Sequence, residues 1–154
     1  MPWDLTKTFT PIAVLSFQPI VVVTSPSSGL KTIQDLQARA KGKPDQVSYA
    51  SSGQGSIQHL VGELFSQNLG INLLHIPYKG GALANSDLVA GRVQVVFGPV
   101  VELMPFVTSG AIRVLGVTSL TRTASFPEAR PVAEAVPGYE MSTWHGVFAP
   151  KGTS

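Results

Sequence analysis

The 154-residue sequence contains no cysteine, which excludes a disulfide, a zinc–thiolate site or a thiol nucleophile within it. Charge is also scarce. Asp, Glu, Lys and Arg make up 13% of the residues, about half the share usual in globular domains. The formal net charge of +2 says little about partners. Arg39, Lys41 and Lys43 cluster, but at the expected C-terminal end of a helix, where they complement the helix dipole. No basic stripe interleaved with aromatics follows, so no nucleic acid is expected as a partner. There is no apolar run of about 18 residues, so no membrane span is expected. The opening MPWDLTKTF lacks the apolar stretch of a secretory signal, and Trp3 and Phe9 precede Pro11 with no obvious opening element.

What is present is a hydrophobic content of 44% in a chain long enough to bury one domain core. With so little charge, part of the surface is expected to meet something else. Ile12 to Val23 is β-rich and interrupted at Gln18-Pro19, which predicts two strand segments joined at a bend. Ser25 to Gly29 reads as a loop. Thr32 with Asp35 three residues on is a capping-box pattern. Ile33, Leu36 and Ala40 fall on one face of the helix it opens, and Gly42 and Pro44 stop it.

Val47–Ala50, Leu73–Ile76, Val93–Phe97, Ile112–Thr118 and Trp144–Ala149 read as strands. Helices are expected over Ser56–Leu69, Ala82–Ala90 and after Gly98-Pro99, with Pro105 kinking the last, and a short one over Val132–Ala135. Thr121 to Arg130 is loop-like. In the Ser56–Leu69 helix, Ile57, Leu60, Val61, Leu64 and Phe65 are expected to face inward. Strands that are apolar on both faces and alternate with helices predict an α/β fold: a three-layer sandwich around a mainly parallel sheet of about five strands. Ligands of such sheets sit beyond the carboxyl ends of the strands. The turns Ser51–Ser56, Tyr78–Gly81 and Gly98-Pro99 would lie along that one edge.

The stretch YASSGQGS, Tyr49 to Ser56, places three serines, two glycines and no charge between a strand and a helix. A helix N-terminus exposes unpaired N–H groups, glycine lets a ligand approach the backbone and serine adds donors, which together suit a carboxylate. Serine and glycine are equally ordinary turn and cap residues, and Ser56 alone could cap the helix. Both readings stand on the residues alone.

Other motifs fail. Gly53-Gln54-Gly55 lacks the third glycine of a dinucleotide fingerprint, Gly55-Ser56 lacks the lysine of a phosphate loop, and the nucleophile elbow is absent. Ser52, Asp87 and His145 could be imagined as a hydrolytic triad, but no spacing supports it. His59 and Glu63 are four apart on a helix, yet no third metal ligand falls in register. No catalytic residue, metal or cofactor is expected. His75 is expected to be structural, Tyr78 and Lys79 to lie on the ligand edge, and Trp144 to pack in the core.

YASSGQGSIQHLVGELF, HIPYKGGALANSDLVAGRVQVVFGPV, GAIRVLGVTS, PEARPVAEAVPGYEMSTWHGVFAPKGT and the opening DLTKTFTPIAVL occur in an order that resembles the Bug family. These are the TctC-like extracytoplasmic solute receptors of tripartite tricarboxylate transporters. The resemblance covers essentially the whole chain. It implies one lobe of a type II periplasmic binding protein fold: the second, ligand-binding lobe of a two-lobed receptor that clamps a small carboxylic or dicarboxylic acid. The second-lobe contacts it implies are Ser51, Ser52, Gly53, Gln54, Gly55 and Ser56, with Gly98 and Pro99 beside them. Its implied partners are the carboxylate, the first lobe and the membrane transporter subunits, in the periplasm. Many members carry aspartate where this chain has Gly98, which weighs against an amino-acid ligand. The first lobe is expected to lie outside these residues, and the isolated lobe could pair with a second copy. The competing expectations are an effector-sensing domain of a regulator and, more remotely, a serine hydrolase.

Overall fold

The computed structural model describes residues 4–43 and 46–153. Its elements, in order, are α1 (Leu5–Thr8), β1 (Phe9–Thr24), α2 (Ile33–Gly42), β2 (Ser48–Ser51), α3 (Ile57–Leu69), β3 (Leu74–Pro77), α4 (Gly81–Val89), β4 (Val95–Pro99), α5 (Val100–Thr108), β5 (Arg113–Val117) and β6 (Ser142–Pro150), with short 3-10 turns at Pro26–Ser28 and Val132–Glu134. The expected roles of Trp3 near the start and Pro44 as a helix stop fall outside the described residues.

The central sheet has the order β3-β2-β4-β1-β5. β2 pairs in parallel with β3 and β4, while β1 is antiparallel to both β4 and β5. Four of these five strands therefore share one direction and β1 is inserted against them, making the sheet mixed. The inner half of β1 is buried on both faces, as the unbroken run IVVV requires. Ile20 and Val22 pack with Leu36, Tyr49, Phe65 and Phe97 under α2 and α3. Val21 and Val23 pack with Ala84, Leu88, Val100 and Leu103 under α4 and α5. These are the two helical layers of the sandwich.

The expected bend at Gln18-Pro19 is instead a change of partner within one continuous strand. Outside it, Phe9 to Pro19 pairs with β6 as a two-stranded antiparallel ribbon, ending at Pro19 opposite Ser142. Inside it, Ile20 pairs with Pro99 of β4. Proline lacks the N–H for a ladder bond on one side, which suits a position where one partnership ends. Thr118, fully buried, holds the branch: its hydroxyl accepts from the Ile20 N–H at 2.8 Å and lies 3.0 Å from the Ile20 carbonyl, while the Met141 N–H donates to the Thr118 carbonyl at 3.1 Å. Trp144 departs from expectation. It sits on the ribbon against Phe148 and is half exposed rather than in the core.

Local signals explain the helices that frame the site. Thr32 and Asp35 form the reciprocal capping box at the start of α2. Ser56 is the N-cap of α3, its hydroxyl accepting from the His59 N–H at 3.3 Å. Gly70 closes α3 in the left-handed conformation that glycine adopts without strain. Leu60 was expected inward but is 53% exposed, whereas Gln58 is 4% exposed. The inward stripe of α3 runs through Gln58, Val61, Gly62, Phe65 and Leu69.

Candidate functional site

Parallel pairing fixes where the three turns meet. Ser51 at the end of β2 is in register with Pro77 at the end of β3, and Ala50 is in register with Val96 near the end of β4. The segments 78–81, 51–56 and 98–99 therefore follow one another along a single sheet edge, where α4, α3 and α5 begin. They are also bonded together: the Tyr78 N–H donates to the Ser51 carbonyl at 2.9 Å and the Gly80 N–H to the Ser52 carbonyl at 3.3 Å. Because Ile20 faces Pro99, the β1/β6 ribbon leaves the sheet from this same edge.

Within the turn the donors are unequally engaged. Ser51 is fully buried; its hydroxyl lies 2.7 Å from His75 Nε2 and 3.2 Å from the Gly53 N–H, which donates to it. The Ser52 N–H donates to Gln58 Oε1 at 2.6 Å, the Gly55 N–H to His59 Nδ1 at 3.0 Å and the Ser56 N–H to the Gly53 carbonyl at 3.2 Å. Gly53 and Gly55 hold φ of 139° and 78°, values that disfavour a side chain. Among the described residues, the Ser52 hydroxyl and the Gln54 N–H have no hydrogen-bond partner within the protein. Ser52, Gly53 and Ser56 are half-buried, and Gln54 and Gly55 are exposed. The turn is thus an open, pre-shaped surface whose spare donors are concentrated at Ser52 and Gln54.

Two histidines brace it from behind. His59 of α3 and His75 of β3 stack with ring centroids 4.0 Å apart, and Tyr49 stacks on the other side of His75 at 4.9 Å. Since the Gly55 N–H donates to His59 Nδ1, the neutral ring carries its proton on Nε2, which faces Glu63 Oε1 at 3.8 Å. Burial lowers the pKa of His75 and neighbouring His59 adds to this, with Glu63 opposing. The Tyr49 hydroxyl donates to Glu63 Oε1 at 2.6 Å, and burial followed by that bond keeps the phenol protonated. A Cβ at Gly62 would come within 2.4 Å of the Tyr49 ring, so glycine is what lets α3 approach β2 at this point.

Gly98 is buried inside β4, where a Cβ would meet Leu103 Cδ1 at 2.9 Å. Pro99, half-buried, is the residue before α5. Both lie on the edge, but Gly98 contributes backbone and close packing. Tyr78 is directed to Asp87, its hydroxyl donating to Oδ2 at 2.7 Å, and Lys79 is exposed.

The structure does not assemble the imagined triad: His145 is on the ribbon 3.1 Å from the Ser16 hydroxyl, and Asp87 binds Tyr78 and Arg92. Among the described residues no three His, Asp or Glu side chains are placed to hold a metal. No helix there is long and apolar enough to cross a membrane. His75 is structural, as expected, and His59 is a hydrogen-bonded histidine near the helix start, but sequence reasoning did not place either beneath the turn and missed Gln58 as a support altogether. The available signal was the i to i+4 reach from the loop into the first turn of α3, which puts His59 beneath Gly55.

The model of the tripartite tricarboxylate transporter family receptor, TctC, matches residues 1–154. A protein of Pseudomonas sp. strain P51, described as lying in the tcbD-tcbE intergenic region, is 39% identical over 99% of this chain and 46% of its own length. Among solved structures, Rpa4515 of R. palustris with adipate superposes with a TM-score of 0.95 at 35% identity, covering 100% of this chain and 52% of that one. The periplasmic binding protein BugD superposes with a TM-score of 0.88 at 34% identity, covering 96% and 50%. The chain spans about half the length of the relatives it matches. These are solute receptors and not enzymes, and their fold is the α/β sandwich described above. The sequence order of the motifs, the sheet topology and the family match together establish that this chain belongs to the TctC family of tripartite tricarboxylate transporter receptors.

Proposed function

We propose that the chain forms the second, ligand-binding lobe of a two-lobed periplasmic solute receptor. In this reading it helps to clamp a small carboxylic or dicarboxylic acid for uptake by a tripartite tricarboxylate transporter. The observation that carries the reading is the shared edge: the serine-glycine turn, with spare donors at Ser52 and Gln54, lies where the β1/β6 ribbon leaves the sheet. The first lobe, reached through that ribbon, would face the turn and enclose a solute on it. The adipate bound to the R. palustris relative and the periplasmic description of BugD support the ligand class and the compartment. The first lobe supplies the other half of the clamp, and the transporter subunits receive the loaded receptor.

The contact set is Ser51 to Ser56, with Gly98 and Pro99 beside it. Ser51 and Ser56 act by holding the turn and capping α3. Ser52 and Gln54 supply the direct donors. A hydrogen bond to a charged acceptor is worth about 1.5–3 kcal/mol. In a complete receptor containing this lobe, Ser52→Ala is expected to weaken dicarboxylate binding roughly ten- to a hundred-fold, read by calorimetry, with little change in melting temperature. Unchanged binding together with a sharp loss of thermal stability would make the serines caps and nothing more.

A further inference from the structure

His59 and His75 differ in what a proton does to the turn they support. The Ser51 hydroxyl, 2.7 Å from His75 Nε2, can either donate or accept. That contact is therefore available in either charge state of His75. The Gly55 N–H, 3.0 Å from His59 Nδ1, can only donate. A proton on Nδ1 sets two donors against each other and breaks the bond. Gly55 is exposed, holds φ of 78° and has nothing within 4 Å of the point where a Cβ would stand. The backbone there has room to turn its N–H outward once His59 stops accepting it.

The titratable groups placed against His59 come from three elements. His75 of β3 stacks on it at 4.0 Å, Glu63 of α3 lies 3.8 Å from Nε2, and the Tyr49 phenol of β2 is bonded to that same Glu63. The turn itself brings no charge. Burial and the neighbouring His59 both lower the pKa of His75, with Glu63 opposing. A charge on one ring thus opposes a charge on the other.

We propose that His59 is a proton-sensitive positioning residue of the serine turn. Neutral, it holds the Gly55 N–H; protonated, it releases that donor and puts a cation behind the turn. This rests on the carboxylate reading of the turn. Gly55 follows Gln54 directly, so the released N–H adjoins a donor already assigned to the solute. An imidazolium in the first turn of α3 is opposed by the helix dipole, and a bound anion offsets that opposition. The carboxylate favours the imidazolium and the imidazolium favours the carboxylate by the same factor. Binding therefore takes up a proton, and affinity rises as pH falls through the range in which histidine titrates.

The test begins without solute. In the 154-residue chain, nitrogen NMR of the imidazole rings reports which His59 nitrogen carries a proton. The Gly55 amide is followed alongside from about pH 8 to about pH 5. It is expected to move in step with protonation of His59 Nδ1. His59→Asn keeps an acceptor in the place of Nδ1 but does not titrate, and most of that movement is expected to be lost. Adipate is then titrated at about pH 8 and about pH 6 at constant ionic strength, with the Ser52 and Gln54 amides giving relative affinity. The expected gain at the lower pH is about two- to five-fold in wild type, the scale of an exposed charge pair, and absent in His59→Asn. The titration of adipate itself is common to both proteins and cancels. If Gly55 ignores the protonation of His59, or moves equally in His59→Asn, the assignment is overturned. If Gly55 responds but both proteins show the same change in affinity, the coupling to the solute is overturned and the carboxylate site stands. If adipate shifts neither Ser52 nor Gln54 in either protein, the carboxylate reading falls and this inference falls with it.

Discussion

His59 and His75 lie with their rings 4.0 Å apart and 14° from parallel, one from α3 and one from β3, directly behind the turn that carries Ser52. Each makes a bond that fixes the turn, His75 to the Ser51 hydroxyl and His59 to the Gly55 N–H.

This pairing makes the lobe sensitive to acid. The pKa of His75 is lowered in the folded chain, first by burial and then by His59, while Glu63 acts against the shift. The unfolded chain therefore binds more protons between the ordinary histidine value of about 6.5 and the lowered native one. Stability from His75 is fully present above that ordinary value and is lost as pH falls through the window below it. The melting temperature is expected to fall as pH drops below about 6.5, and His75→Asn is expected to flatten that slope. An equal slope in wild type and variant would assign the acid sensitivity elsewhere.

Thr118 gives a second expectation. Its hydroxyl joins β1 to the segment after β5 at the place where β1 changes partners. Thr118→Val keeps the shape but removes the acceptor for the Ile20 N–H in a fully buried position. A loss of about 1–3 kcal/mol is expected in urea unfolding. A change below about 0.5 kcal/mol, the level of ordinary surface substitutions, would mean that the branch is held by packing alone.

Asn85 should respond in the opposite direction. It is 5% exposed on the inner face of α4, and its Oδ1 has no partner among the described residues. Asn85→Leu keeps the branched outline of the side chain, at larger volume, and removes a desolvated carbonyl oxygen, so it is expected to stabilise the lobe by about 1 kcal/mol where the packing around the side chain takes up the added methyl bulk. A destabilised variant would point to a bound water satisfying that oxygen.

The order of elements and the gathering of three turns on one sheet edge were legible because apolar runs, glycines and prolines mark them directly. The capping box at Thr32 and the cap at Ser56 were equally clear, since both depend on neighbours within four residues. What stayed hidden depends on distant partners. The run IAVLSFQPIVVV is β-rich throughout, yet nothing in it says that the outer half pairs with β6 while the inner half enters the sheet antiparallel. Leu60 fits the spacing of an inward face, but the first turn of α3 is turned so that Gln58 faces the serine loop instead. Trp144 reads as core because tryptophan usually is. On a two-stranded ribbon it has one covered side at most.

That ribbon sets the behaviour expected of the chain by itself. Ile12, Val14, Leu15 and Phe17 are exposed on it, Phe17 to 70%, together with Trp144 and Phe148. Contiguous apolar surface of this kind favours association, and ribbon segments can exchange between copies. Concentration-dependent self-association is expected in sedimentation, with Leu15→Ser/Phe17→Ser shifting the chain toward monomer. A wild-type chain that stays monomeric at every concentration tested would refute the idea.

β1 is one strand of 16 residues from Phe9 to Thr24, and its inner end lies between β4 and β5 rather than at a margin. Torque applied to the ribbon at Phe9 is therefore delivered inside the sheet, one strand from its β5 edge, with α2 and α3 on one face and α4 and α5 on the other. A spar bonded to neighbours on both sides turns the whole body it enters. Rotation about the ribbon would swing the serine turn through space as a unit without altering the bonds that shape it.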